Sequence, residues 1–121
     1  MRATTLLLVF SAVLAAGCGP DCYSSCEKIF GDAAGECDIS VPGKSGESGR
    51  QEMISQCVSH CERAMRRSGD IGDYTPNERG LGDEDISLEN EKQASKWMDC
   101  VAETSCDNLN KNYCAPVTNY P

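Results

Sequence analysis

Aromatic residues are scarce in this chain: two Phe, four Tyr and one Trp among 121 residues. A core built on so little bulky material is thin, and a short chain buries proportionately less surface than a long one. Basic residues are also few, 11 against 19 acids, for a net charge of −8. That balance argues against the Lys/Arg-rich surface with which proteins displace counterions from nucleic acid. Histidine occurs once, at His60, so no H-E-x-x-H metalloprotease helix can be written. Also missing are G-x-S-x-G, C-x-x-C and C-x-x-C-H, the marks of serine hydrolases, thiol oxidoreductases and c-type haem attachment. Acids abound, but no carboxylate pair stands out as catalytic. The expectation is a protein that is not an enzyme, with no cofactor, no bound metal and no evident small-molecule substrate.

Cysteine fills the gap left by the aromatics, with nine in the chain. Such density in one short domain is typical of exported scaffolds, which fold where thiols are not kept reduced. An odd count leaves one thiol without a partner. Arg2 is followed by an uncharged stretch from Ala3 to Ala16 with Leu6, Leu7, Leu8, Val9, Phe10, Val13 and Leu14 as its body. That stretch is short for a membrane span and ends in small residues, so residues 1–17 read as a signal peptide. No later segment is apolar enough to cross a bilayer.

The segment Leu14-Ala15-Ala16-Gly17-Cys18 resembles the lipobox of bacterial lipoproteins. Ala15 stands where that family most often has Leu. The resemblance implies cleavage before Cys18, a diacylglycerol on its thiol and a membrane anchor, with residues 18–21 as attachment point and tether. Gly19, in place of the Asp that tends to signal inner-membrane retention, leans towards the outer membrane. Ordinary secretory cleavage is the competing reading, because Ala15-x-Gly17 is also a small-x-small site. Setting Cys18 aside leaves eight cysteines, an even number.

Residues 22–115 form the expected domain. Asp21 is placed to cap a first helix, in which Cys22, Cys26, Ile29, Phe30 and Ala33 share a stripe; Gly31 and Gly35 weaken it, and it should end near Ala34. Residues 38–49, with Pro42-Gly43, read as a loop. Ser48 and Gln51 have capping-box spacing, which starts a second helix near Gly49, with Ile54, Cys57, Val58, Cys61 and Met65 inward and Gly69 as its C-cap. Arg63, Arg66 and Arg67 sit at its end and complement the helix dipole, a reading preferred to a binding patch. Between Asp70 and Glu91 there are eight acids and one base, Arg79. This stretch lacks the alternating acids of a calcium loop and reads as a solvated, mobile segment, the place where a partner protein would touch. A third helix should open near Ser87, with Ala94, Trp97, Met98, Val101 and Ser105 inward and a Glu89–Lys92 pair. A short fourth helix is expected around Leu109, and residues 116–121 should form an irregular tail.

Cys22-x-x-x-Cys26 and Cys57-x-x-x-Cys61 each put two thiols one turn apart on one helical face. In an antiparallel hairpin Cys26 meets Cys57 and Cys22 meets Cys61, and the midpoint of both pairs falls in the Pro42 loop. The pattern is similar to the twin CX3C hairpins of small mitochondrial intermembrane-space proteins, in spacing alone. Each bridge would contribute roughly 3 to 4 kcal/mol by loop closure, the second of the nested pair adding less. Cys37, Cys100, Cys106 and Cys114 remain, with pairing open; Cys37 is expected to reach the C-terminal group, leaving a local bridge. Four thiolates with His60 as a further ligand would suit zinc, but an oxidising compartment favours disulfides. His60 itself reads as a partly exposed polar residue.

These features predict an all-α, disulfide-stapled domain: a CX3C hairpin plus one or two C-terminal helices, with long loops. In its signal, its cysteine density and the segment WMDCVAETSCDNLNKNYC it resembles cysteine-rich lipoproteins of Gram-negative bacteria, which bring no known activity. The expected role is structural or protein-interacting, on a bacterial envelope membrane and otherwise periplasmic or secreted. The alternatives are a secreted or periplasmic zinc module and a thiol-disulfide redox factor.

Overall fold

The computed structural model describes residues 19–80, 85–118 and 120. The expectations for residues 1–18, including the lipid attachment at Cys18, lie outside them. Four helices follow in order: α1 (Cys22–Phe30), α2 (Gly46–Met65), α3 (Glu91–Glu103) and α4 (Cys106–Asn110). No strand occurs among the described residues, and the Val41–Lys44 bridge merely closes the Pro42-Gly43 turn. The fold is all-α and stapled by four disulfides.

Asp21 starts α1 through a reciprocal box: its carboxylate accepts the Ser24 amide at 2.7 Å, and Ser24 Oγ accepts the Asp21 amide at 3.1 Å. The helix stops at Phe30, short of Ala34. The chain folds back instead, and the Cys37 and Ile39 amides bond the Lys28 and Ile29 carbonyls at 2.7 and 3.0 Å. These returning amides satisfy carbonyls that a further turn would have used. The Glu36 carboxylate lies over Gly31, where a Cβ would come within 2.4 Å of it. Ala33 is accordingly exposed.

α2 opens at Gly46, three residues before the expected Gly49, and Ser45 caps it without a side-chain hydrogen bond. The Ser48–Gln51 box is therefore not used; Gln51 instead donates to Glu47 at 2.9 Å. Gly49 is needed for another reason. It passes so close to Lys44 that a Cβ would sit 2.6 Å from the Lys44 carbonyl carbon. At the other end α2 stops at Met65 with Arg66 as cap, so Gly69 is not its terminator. Gly69 lies against the Asn90 side chain, in space where a Cβ would clash.

Asn90, rather than Ser87, caps α3, its Oδ1 accepting the Lys92 and Gln93 amides at 3.1 Å each. The residues before it are committed elsewhere. Leu88 is buried, and Gln93 Oε1 accepts the Glu89 amide at 2.9 Å. Lys92 pairs with Asp70 at 3.3 Å, not with Glu89. Ser105, expected on the inner face of α3, caps α4 by accepting the Asn108 amide. Along α3, Ala94, Trp97, Met98 and Val101 are buried.

α1 and α3 run parallel and α2 opposes both. The Glu91 amide meets the Arg67 carbonyl at the end of α2, while Lys28 near the end of α1 reaches the end of α3. Between them lies one core of Ile29, Phe30, Ile54, Trp97, Val101 and Leu109 with six of the cysteines. Residues 116–118 form neither helix nor strand, yet Pro116 and Val117 are buried. This stretch is irregular but packed: the Trp97 indole donates to the Pro116 carbonyl at 3.0 Å, and the Ala115–Pro116 bond is cis.

Candidate functional site

Cys22 pairs with Cys61 and Cys26 with Cys57, so two rungs join α1 to α2. Cys37 pairs with Cys106 across 69 residues and ties the α1–α2 loop to α4. Cys100 and Cys114, 14 residues apart, form the local bridge. Every described cysteine is thus bonded to another, and none offers a thiolate to a metal or to thiol exchange as it stands. Six of the eight are buried; Cys37 and Cys106 are half-buried, which makes theirs the bridge solvent meets first. Four disulfides are the mark of an oxidising compartment outside the cytosol.

Two cations hold the helix ends in place. Lys28 Nζ donates to the carbonyls of Val101, Ala102 and Thr104 at 2.5, 3.1 and 2.8 Å, closing the C-terminus of α3 from a neighbouring helix. Burial pushes this ammonium below its ordinary pKa. Arg50 donates to the Phe30 carbonyl at 3.1 Å and to Asp38 at 3.0 Å, with Glu47 and Asp32 beside it. The hydrogen bonds it donates to the Asp38 and Glu47 carboxylates hold its pKa up. Neither role has a signature in the sequence, because the accepting groups are backbone carbonyls brought in by tertiary packing.

His60 departs from expectation. It is 4% exposed, not a surface residue of the stapled helix. Its Nε2 accepts the Leu88 amide at 3.1 Å, and the Tyr120 ring tilts against it at 60° with centroids 5.2 Å apart. Burial, with a smaller contribution from the Arg63 charge, lowers its pKa from the ordinary 6.5. Because Nε2 accepts the Leu88 amide, the hydrogen-bonded ring is the neutral tautomer with its proton on Nδ1. The spacing of Met53, Cys57, His60 and Ala64 is the available signal: all four are buried on one face of α2.

The three arginines near the end of α2 do not act together. Arg66 pairs with Glu62 at 3.8 Å, and the Arg67 carbonyl receives the Glu91 amide. Arg63 lines a cleft of about 390 Å³ with Ser55, Gln56, Ser59, His60 and Tyr120. The acidic stretch is less free than expected. Pro76 and Leu88 are buried, the Tyr74 hydroxyl donates to the Ala115 carbonyl at 2.7 Å, and Pro76 accepts the Cys114 amide at 2.8 Å. Among the described residues no group of three or more His, Cys, Asp or Glu is placed to hold a metal ion, and no helix is long and apolar enough to cross a membrane.

Comparison with known protein families, with curated proteins and with solved structures gives no match. The class that fold and site define is a small, four-helix, four-disulfide domain of an oxidising compartment.

Proposed function

We propose that this is an envelope lipoprotein, held to a bacterial membrane by lipid on Cys18, whose stapled domain has a non-enzymatic structural or protein-interaction role. The observation that carries the reading is the pairing: the eight cysteines from Cys22 to Cys114 satisfy one another, and Cys18 is the one left over. That residue follows directly on the apolar stretch and completes the lipobox-like segment. Two or more acyl chains anchor a protein stably, where one holds it only marginally. Gly19, Pro20 and Asp21 are all that separate Cys18 from α1. Four residue steps span at most about 14 Å, so the domain would ride close to the lipid surface, towards the outer membrane by the Gly19 argument. A zinc module needs free thiolates, which this pairing consumes, and a thiol redox factor needs a bridge open to attack, whereas six of the eight paired cysteines are buried.

Intact-mass spectrometry of the native envelope protein, alkylated without reduction, tests this directly. The expected species begins at Cys18, carries acyl mass and takes up no alkylating reagent. An unacylated chain with alkylated cysteines overturns the reading.

A further inference from the structure

We propose that the cleft between α2 and Tyr120 binds a small oxyanion, the carboxylate or phosphate head of an organic molecule. Ser55, Gln56, Ser59, His60 and Arg63 fall within two and a half turns of one helix, and Tyr120 forms the opposite wall. A volume of about 390 Å³ suits a small ligand rather than a macromolecule. The composition of the wall is the telling point. In a chain with eight more acids than bases, no Asp or Glu lines this cleft. The Tyr120 hydroxyl is committed to the Val117 carbonyl and the Gln56 amide to Glu52, so His60, Arg63, Ser55 and Ser59 are the donors the cleft presents.

His60 gives the site its fixed element. A buried imidazole has one nitrogen committed to the Leu88 amide, so Nδ1–H is left as the donor, and the Tyr120 ring holds the plane. Arg63 stands one turn further along the same helix and supplies the planar, charged fork that matches carboxylate or phosphate. The hydroxyls of Ser55 and Ser59, one turn apart, complete a row of donors along the helix. Burial is the main reason the imidazolium is disfavoured, and an oxyanion seated between His60 and Arg63 would offset the smaller cause, the Arg63 charge. The site is separate from the lipid anchor and stands whether or not Cys18 is acylated.

His60 is the only histidine, so its ring resonances are a single-site reporter in the full, oxidised chain. Inorganic phosphate and, separately, acetate should be titrated at constant pH, with ionic strength matched by chloride. A saturable displacement of the His60 ring signals is expected with at least one of the two. It should weaken about tenfold in Arg63→Gln, as loss of one charge-assisted contact implies, and persist in Arg66→Gln. Unchanged far signals and four intact disulfides show that each variant is folded. No displacement beyond that caused by chloride, an undiminished displacement in Arg63→Gln, or an equal loss in Arg66→Gln would each overturn the proposal.

Discussion

Between Cys22 and Met65 the chain is two helices facing each other, with sulfur pairs repeating one turn apart along the seam. The described residues from Arg66 to Tyr120 are largely irregular, yet they contribute Trp97, Leu109 and Val117 to the same core. Here order comes from one local bridge, Cys100–Cys114, and from single contacts: indole to Pro116, phenol to Ala115, the Cys114 amide to Pro76, the Gly80 amide to Asn112. Each contact supplies a partner to a backbone group that no helix or strand satisfies. A lean domain can therefore be ordered in two ways, by a periodic covalent ladder or by a few large side chains that hold particular carbonyls. The ladder is redundant and the contacts are not.

Trp97→Ala should show that asymmetry most strongly. It removes the largest buried side chain and leaves the Pro116 carbonyl without its donor. A loss of about 3–5 kcal/mol is expected in denaturant unfolding. Replacing both Cys26 and Cys57 by Ala should cost less, about 2–4 kcal/mol, because the Cys22–Cys61 rung still closes the hairpin. If the ladder variant proved the weaker of the two, the redundancy argument would be wrong. Lys28→Met keeps the stem and removes the charged cap on α3, with an expected loss of about 1.5–3 kcal/mol and faster amide exchange around Thr104.

The smallest effect is on pH dependence. The folded chain holds the His60 pKa below the ordinary 6.5, so the unfolded chain takes up that proton more readily. Stability from this group is complete above about pH 6.5 and is lost as pH falls towards and below the folded value, by at most about 1.4 kcal/mol per pH unit. Thermal unfolding followed downward from neutral pH should show this slope, and His60→Gln should flatten it. A slope unchanged in that variant would assign it to the carboxylates instead.

The same contrast governs what the sequence makes legible. In the hairpin, Cys22, Cys26, Cys57 and Cys61 announce both the helical period and the pairing, and Pro42-Gly43 marks the reversal. Asp21 is likewise readable as a cap because the contact is local. The start of α3 is not. Ser87 and Asn90 are both capping residues, and the choice falls to Asn90 because Leu88 is drawn into the core and its amide onto His60. α1 ends early for a similar reason, since the competing partners for its last carbonyls come from Cys37 and Ile39 after a turn. The cleft was the least readable feature, as its far wall, Tyr120, lies 60 positions along the chain from His60.

The Cys37–Cys106 bridge makes the molecule hard to take apart by cutting. Among the described residues it is the sole disulfide between the hairpin and the part of the chain beyond residue 66. A protease that cleaves anywhere between Cys61 and Cys100, including after the exposed Arg79, would leave two pieces that stay together until a reductant reaches one half-buried sulfur pair. The long, acidic middle stretch can thus be nicked without releasing either piece.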